Sequence, residues 1–149
     1  MITPLIMLAL MTAPWLALRS RAAGAFGLGI LFIFTGVGHF IQTGPMAQML
    51  PEFVPFRVPL VYLTGILEFV IAAGFFAPAT RRLAGWAAAA VLVLFFPANI
   101  YAAFAHVPMG GHAWGPVYLL IRAPLQAAII AWVWWFTLRD PGAGGKLRA

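Results

Sequence analysis

Apolar residues run along this chain in five long blocks, Met1 to Leu18, Ala22 to Ile41, Val58 to Ala77, Leu83 to Ala105 and Pro116 to Leu138. Charged residues gather between them. A helix needs about 20 apolar residues to cross a bilayer, and helices suit hydrocarbon because their N–H and C=O groups pair internally. The pattern therefore predicts five helices. The first block has no basic stretch ahead of it and carries Arg19 and Arg21 after it. That order predicts an uncleaved, rather short helix, kinked at Pro14, in place of a signal peptide. Between the second and third blocks, Pro45, Pro51 and Pro55 break any continuous helix over Gln42 to Arg57. This interfacial loop is expected to lie along the membrane, with Met46, Met49, Leu50, Phe53 and Phe56 dipping into lipid or capping the helices. Asp140 to Ala149 reads as a short solvated tail.

Composition agrees with the pattern. Hydrophobic residues make up 64 % of the chain and charged ones 8 %, against roughly a quarter charged in soluble domains. The 149 residues are largely consumed by the spans, which predicts one membrane domain over 1–149 and excludes a separate catalytic domain. The expected fold is all-α: an antiparallel four-helix transmembrane bundle plus an extra N-terminal transmembrane helix. The net charge of +6 sits at block ends, so it signals topology and a lipid bilayer partner, with no nucleic acid. Arg19, Arg21, Arg81, Arg82, Arg139, Lys146 and Arg148 all fall on one side if the N-terminus is outside, leaving Arg57 in an outer loop. The positive-inside rule then predicts an inner-membrane protein with its N-terminus outside and its C-terminus cytoplasmic. Trp15, Trp86, Trp132, Trp134 and Trp135 would gather at the inner boundary and Trp114 at the outer one. Absence of cysteine excludes disulfides, thiol redox chemistry, thiolate zinc and cysteine-ligated iron–sulfur clusters.

Within the blocks a few polar residues stand out. Glu68 and Arg122 lie deep in apolar stretches, where a charge costs about 2.5–3.5 kcal/mol. Counted at 1.5 Å per residue, Glu68 and Gln126 are roughly 15 Å from the outer ends and Asn99 and Arg122 about 9 Å, with His39 shallower. Arg122 and Gln126 share a helix face, as do Thr64, Gly65, Glu68 and Ala72 on another helix. Thr35, Gly36 and His39 form a third such stripe, and Asn99 shares a face with Ala102, Ala103 and His106. Small residues beside polar ones let helices approach and polar side chains meet. Pro97 frees a backbone carbonyl near Asn99 that needs a partner. Glu68 and Arg122 are expected within reach of each other, directly or through Gln126 or water. In the plainer case they form an interhelical clasp; in the sharper one His39, Glu68, Asn99, Arg122 and Gln126 frame a ligand or proton site. His106, Met109 and His112, near Met46 and Met49, are ligand types that copper tolerates, but their spacing matches no closed metal motif. No cofactor is encoded.

The order Gly38-His39-Phe40, Met49-Leu50-Pro51, Leu63-Thr64-Gly65-Ile66-Leu67-Glu68, Arg81-Arg82-Leu83-Ala84, Phe96-Pro97-Ala98-Asn99-Ile100-Tyr101 and Ile121-Arg122-Ala123-Pro124-Leu125-Gln126 resembles the DoxX family of small membrane proteins, over about Phe26 to Trp135. The resemblance implies a four-helix membrane core and redox association. On that basis the expected function is a redox-associated membrane protein binding a quinone-like or other small amphipathic molecule in its outer half. Arg122 with Asn99 or Gln126 would hold an oxygen, while Glu68 and His39 exchange protons, and electrons would go to an external membrane redox partner. Two other roles compete. A small transporter or proton pathway would use the same residue types but needs polar residues in the inner half, which are missing; a structural or assembly subunit, or a homo-oligomer, would use the polar groups only as a clasp.

Overall fold

The computed structural model describes residues 2–139. Among these the chain is all helical, with no strand. Six α-helices follow in order: α1 (Ile2–Leu18), α2 (Arg21–Ile41), α3 (Thr43–Gln48), α4 (Arg57–Phe76), α5 (Arg81–Phe104) and α6 (Leu119–Val133). A 3₁₀ helix, His112–Tyr118, leads into α6, and a π-helical turn, Trp134–Leu138, ends it. Four helical stretches are long and apolar enough to cross a membrane: α2, α4, α5 and His112–Leu138, which is kinked at Gly115. With 17 residues, α1 is shorter. Met1 and the expected tail with Lys146 and Arg148 lie outside the described residues.

The ends follow local chemistry. Ser20 caps α2 by accepting the Ala23 amide at 3.1 Å, which meets one of the donors a helix start leaves unpaired. α1 runs on through Pro14 and α5 through Pro97. The proline-broken segment after α2 still forms one short helix, α3, and α4 starts at Arg57 after Phe56 in a left-handed conformation (φ 54°).

α2 packs most extensively against α4, then against α1, while α5 contacts α4, α6 and the 3₁₀ helix. Glycines allow the close approach in both of the most extensive helix pairs. A Cβ on Gly27 would run into the backbone carbonyl of Met11, so α1 and α2 meet backbone to backbone. A Cβ on Gly65 would come within 2.7 Å of His39 Cβ, so α2 and α4 also approach closely at the level of the histidine. The hydrophobic core, including Leu28, Phe75, Ala88, Ile129 and Val133, fills the half of the molecule where α2 and α5 begin and α4 ends. Leu63, Val70, Leu94 and Leu120 are exposed, as expected of helices solvated by lipid. Four arginines, Arg21, Arg81, Arg82 and Arg139, ring a cleft of about 280 Å³ at the core end.

Candidate functional site

At the opposite end, where α2 finishes and α4 and α6 start, the helices enclose a cavity of about 620 Å³. Its walls include Leu31, Phe32, Val91, Phe95 and Ile129, and Met46, Met49 and Leu50 of the α3 region lie along it. Phe53 and Phe56 of the same segment point outward instead. His39, Glu68, Asn99, Arg122 and Gln126 all line this one space, so four different helices contribute to a single polar wall.

Two linked groups make up that wall. On the α2–α4 side, His39 Nδ1 lies 3.0 Å from the Val61 carbonyl and 3.0 Å from Thr64 Oγ1, while the Thr64 hydroxyl donates to the same carbonyl at 2.9 Å. A carbonyl only accepts, so Nδ1 carries a proton and donates to it. The other ring nitrogen, Nε2, stands 3.5 Å from Glu68 Oε1. On the α5–α6 side, Arg122 Nε donates to Asn99 Oδ1 at 3.0 Å, and Asn99 Nδ2 donates to the Phe95 carbonyl at 2.9 Å. Asn99 is buried and its amide is held at both ends, which orients its oxygen towards the guanidinium. Gln126 Nε2 donates to Leu92 O at 2.7 Å, one residue before the Val93 carbonyl that Pro97 leaves without its helical donor. Gln126 thus braces α6 against the proline-interrupted part of α5.

Glu68 and Arg122, expected within reach of each other directly or through Gln126 or water, do not form the direct ion pair. Glu68 faces His39, and Arg122 faces Asn99 and, at 3.9 Å through Nη1, the sulfur of Met7. The cause is helix spacing: Gly65 lets α4 press against α2 next to His39, which brings the imidazole to the carboxylate before any group from α6 can reach it.

One contributor, Met7, escaped the sequence, and another, His112, reads there only as an outer-loop ligand type. Met7 reaches Arg122 from α1, which with Thr3 and Pro4 makes the first helix part of the cavity wall. His112 is folded inward, 3 % exposed, with its ring edge against Tyr118 at 4.9 Å between centroids. Gly110 and Gly111, with φ of 60° and 113°, make the turn that tucks it in; this Gly-Gly pair was the one signal in the sequence. His106 is exposed. Among the described residues no group of three or more His, Cys, Asp or Glu side chains is assembled for a metal ion.

Two buried atoms on this wall lack any partner among the described residues, Glu68 Oε2 and His112 Nε2. Buried polar atoms are nearly always satisfied by protein or ordered water, so these two acceptors are exceptions.

Residues 28–137 match a family described as Domain of unknown function (DUF8561), and the chain belongs to that family. The match overturns the resemblance to DoxX. The shared motifs are small and polar residues set into apolar helices, and close helix packing around buried polar groups calls for the same residue types in unrelated membrane proteins. No curated protein and no solved structure matches the chain.

Proposed function

We propose that this member of the DUF8561 family is a membrane-embedded binding protein for a small amphipathic molecule, held in the cavity at the His39–Arg122 end. One observation carries the proposal: a 620 Å³ space with apolar walls converges on a short polar wall with unsatisfied atoms. Ligand sites of this size are typically apolar with a few placed polar groups that fix orientation. Arg122 would hold an oxygen of the ligand, and the Glu68–His39 pair would give or take a proton. Asn99 and Gln126 would position Arg122 and α6, since one amide N–H of each is held by the Phe95 and Leu92 carbonyls. A quinone-like molecule has the right outline. Redox association rested on the corrected resemblance and forms no part of this role.

The reading includes a membrane arrangement: α2, α4, α5 and α6 as an antiparallel bundle, α1 as a fifth span, and the cavity facing the outer side. Support comes from the arginines, which crowd the opposite end at Arg21, Arg81, Arg82 and Arg139. A proton pathway is less well supported, because the half beyond Glu68 is packed with apolar side chains.

The test is native mass spectrometry and thermal unfolding of protein purified from membranes, comparing Arg122→Ala with Arg57→Ala. Arg57 only reaches the Leu50 carbonyl at 3.5 Å. Co-purifying ligand should be lost from the Arg122 variant and retained by the other. Equal losses, or ligand found solely in the arginine-lined cleft, would overturn the proposal in favour of an assembly subunit.

A further inference from the structure

The polar wall has a hydrogen-bonding sense. Because His39 Nδ1–H is spent on the Val61 carbonyl, a single proton serves the gap between His39 Nε2 and Glu68 Oε1. It sits on nitrogen in a charged pair or on Oε1 in a neutral one. With that proton held in the gap, Glu68 Oε2 is a bare acceptor. Glu68 is 6 % exposed and lines the cavity, and Oε2 has no partner among the described residues. His112 repeats the pattern: Nδ1 donates to the Met109 carbonyl at 2.7 Å, so the neutral ring turns a lone pair at Nε2 into the same cavity, again without a partner. Arg122 uses Nε on Asn99 and Nη1 on Met7, and its remaining N–H groups are the donors on offer.

A ligand that only accepts hydrogen bonds, such as an oxidised quinone or an ether, would satisfy Arg122 and leave two buried acceptors unpaired. Buried acceptors left unpaired are costly, and sites built around them discriminate strongly for a donor. We infer that the cavity selects an apolar molecule carrying a hydroxyl, of the phenol or quinol class, which donates its one hydrogen to either of the two unpaired acceptors, Glu68 Oε2 or His112 Nε2. This deepens the binding role proposed above and rests on it. The walls set the rest of the molecule: Phe32, Phe95 and Leu31 accept an aromatic or aliphatic body, and only the hydroxyl end needs a defined seat.

A matched pair of probes separates the two levels. The full chain in nanodiscs is titrated with 4-octylphenol and with its methyl ether, 4-octylanisole, following unfolding temperature and native mass spectra. Both probes partition into lipid and differ chiefly in the donor hydrogen. Saturable binding of the phenol about tenfold or more tighter than the ether is expected, the worth of one hydrogen bond to a charged or dry acceptor. Glu68→Leu should reduce that preference; if Glu68→Leu does not fold, His112→Phe should reduce it. Equal binding of both probes, or preference for the ether, overturns the donor inference while leaving the binding role standing. Saturable binding of neither probe shows a cavity filled by water only and overturns both.

Discussion

Removing the Asn99–Arg122 contact tests the site at its best-defined point. Arg122 Nε lies 3.0 Å from Asn99 Oδ1, and Asn99 is buried with its amide already anchored to the Phe95 carbonyl. Little side-chain entropy is left to lose when the contact forms, so its worth should approach the upper range for such contacts. Hydrogen bonds to charged groups contribute about 1.5–3 kcal/mol in soluble proteins, while polar pairs in membranes average about 0.6 and reach about 1.7 kcal/mol. About 1.5 kcal/mol is the expected coupling here, roughly a tenfold change in the folded-to-unfolded ratio. Asn99→Ala, Arg122→Ala and the double variant form a cycle, measured by reversible unfolding in mixed micelles. The cycle also isolates the pair from the Met7 contact, which both Arg122 variants lose. A coupling below about 0.5 kcal/mol would refute the claim that Asn99 orients the guanidinium.

Gly65→Ala puts a methyl group against His39 Cβ; it should cost about 1–3 kcal/mol as overpacking does and drive His39 from Glu68, so ligand binding falls more than stability alone explains. Gly27→Ala should separate α1 from α2 at Met11, loosening the Met7 wall while leaving the α2–α4 contact intact, which cysteine cross-linking across each helix pair would distinguish. Cysteine labelling from either side of the membrane should find the N-terminus and Trp114 outside and Arg81 inside; two chain ends on the same side would refute five spans.

The helices were legible because span length and apolar runs are properties of the chain itself. Proline positions marked the break after α2 correctly but could not reveal α3, since Pro45 is its third residue, within the first turn, where a missing N–H is harmless. The polar wall was legible as a list of residues at matching depths. Its pairing was not. Coulomb's law favours Glu68 with Arg122, yet which side chains meet depends on how closely two helices approach, and at the level of His39 that approach depends on the glycine at position 65. His112 reads, with His106 and Met109, as an outer-loop ligand type; the positive φ of Gly110 and Gly111 reverses the chain and buries it.

The last helix carries a consequence for the order in which the molecule is made. Its end is fastened to the beginning of α2: Arg21 Nη2 donates to the carbonyls of Trp135 and Arg139 at 3.1 and 2.8 Å, and Trp132 Nε1 donates to Gly24 O at 3.2 Å. Those partners are more than a hundred residues apart in synthesis. While the ribosome is still adding α4 and α5, the start of α2 waits with an unmatched groove at Gly24, the place that Phe136 later fills. Arg122 arrives with the same late segment. The α2–α4 side of the polar wall can therefore form first, while its α5–α6 side waits for the late segment, and a nascent chain stopped before Arg122 leaves Glu68 without the far side of its cavity.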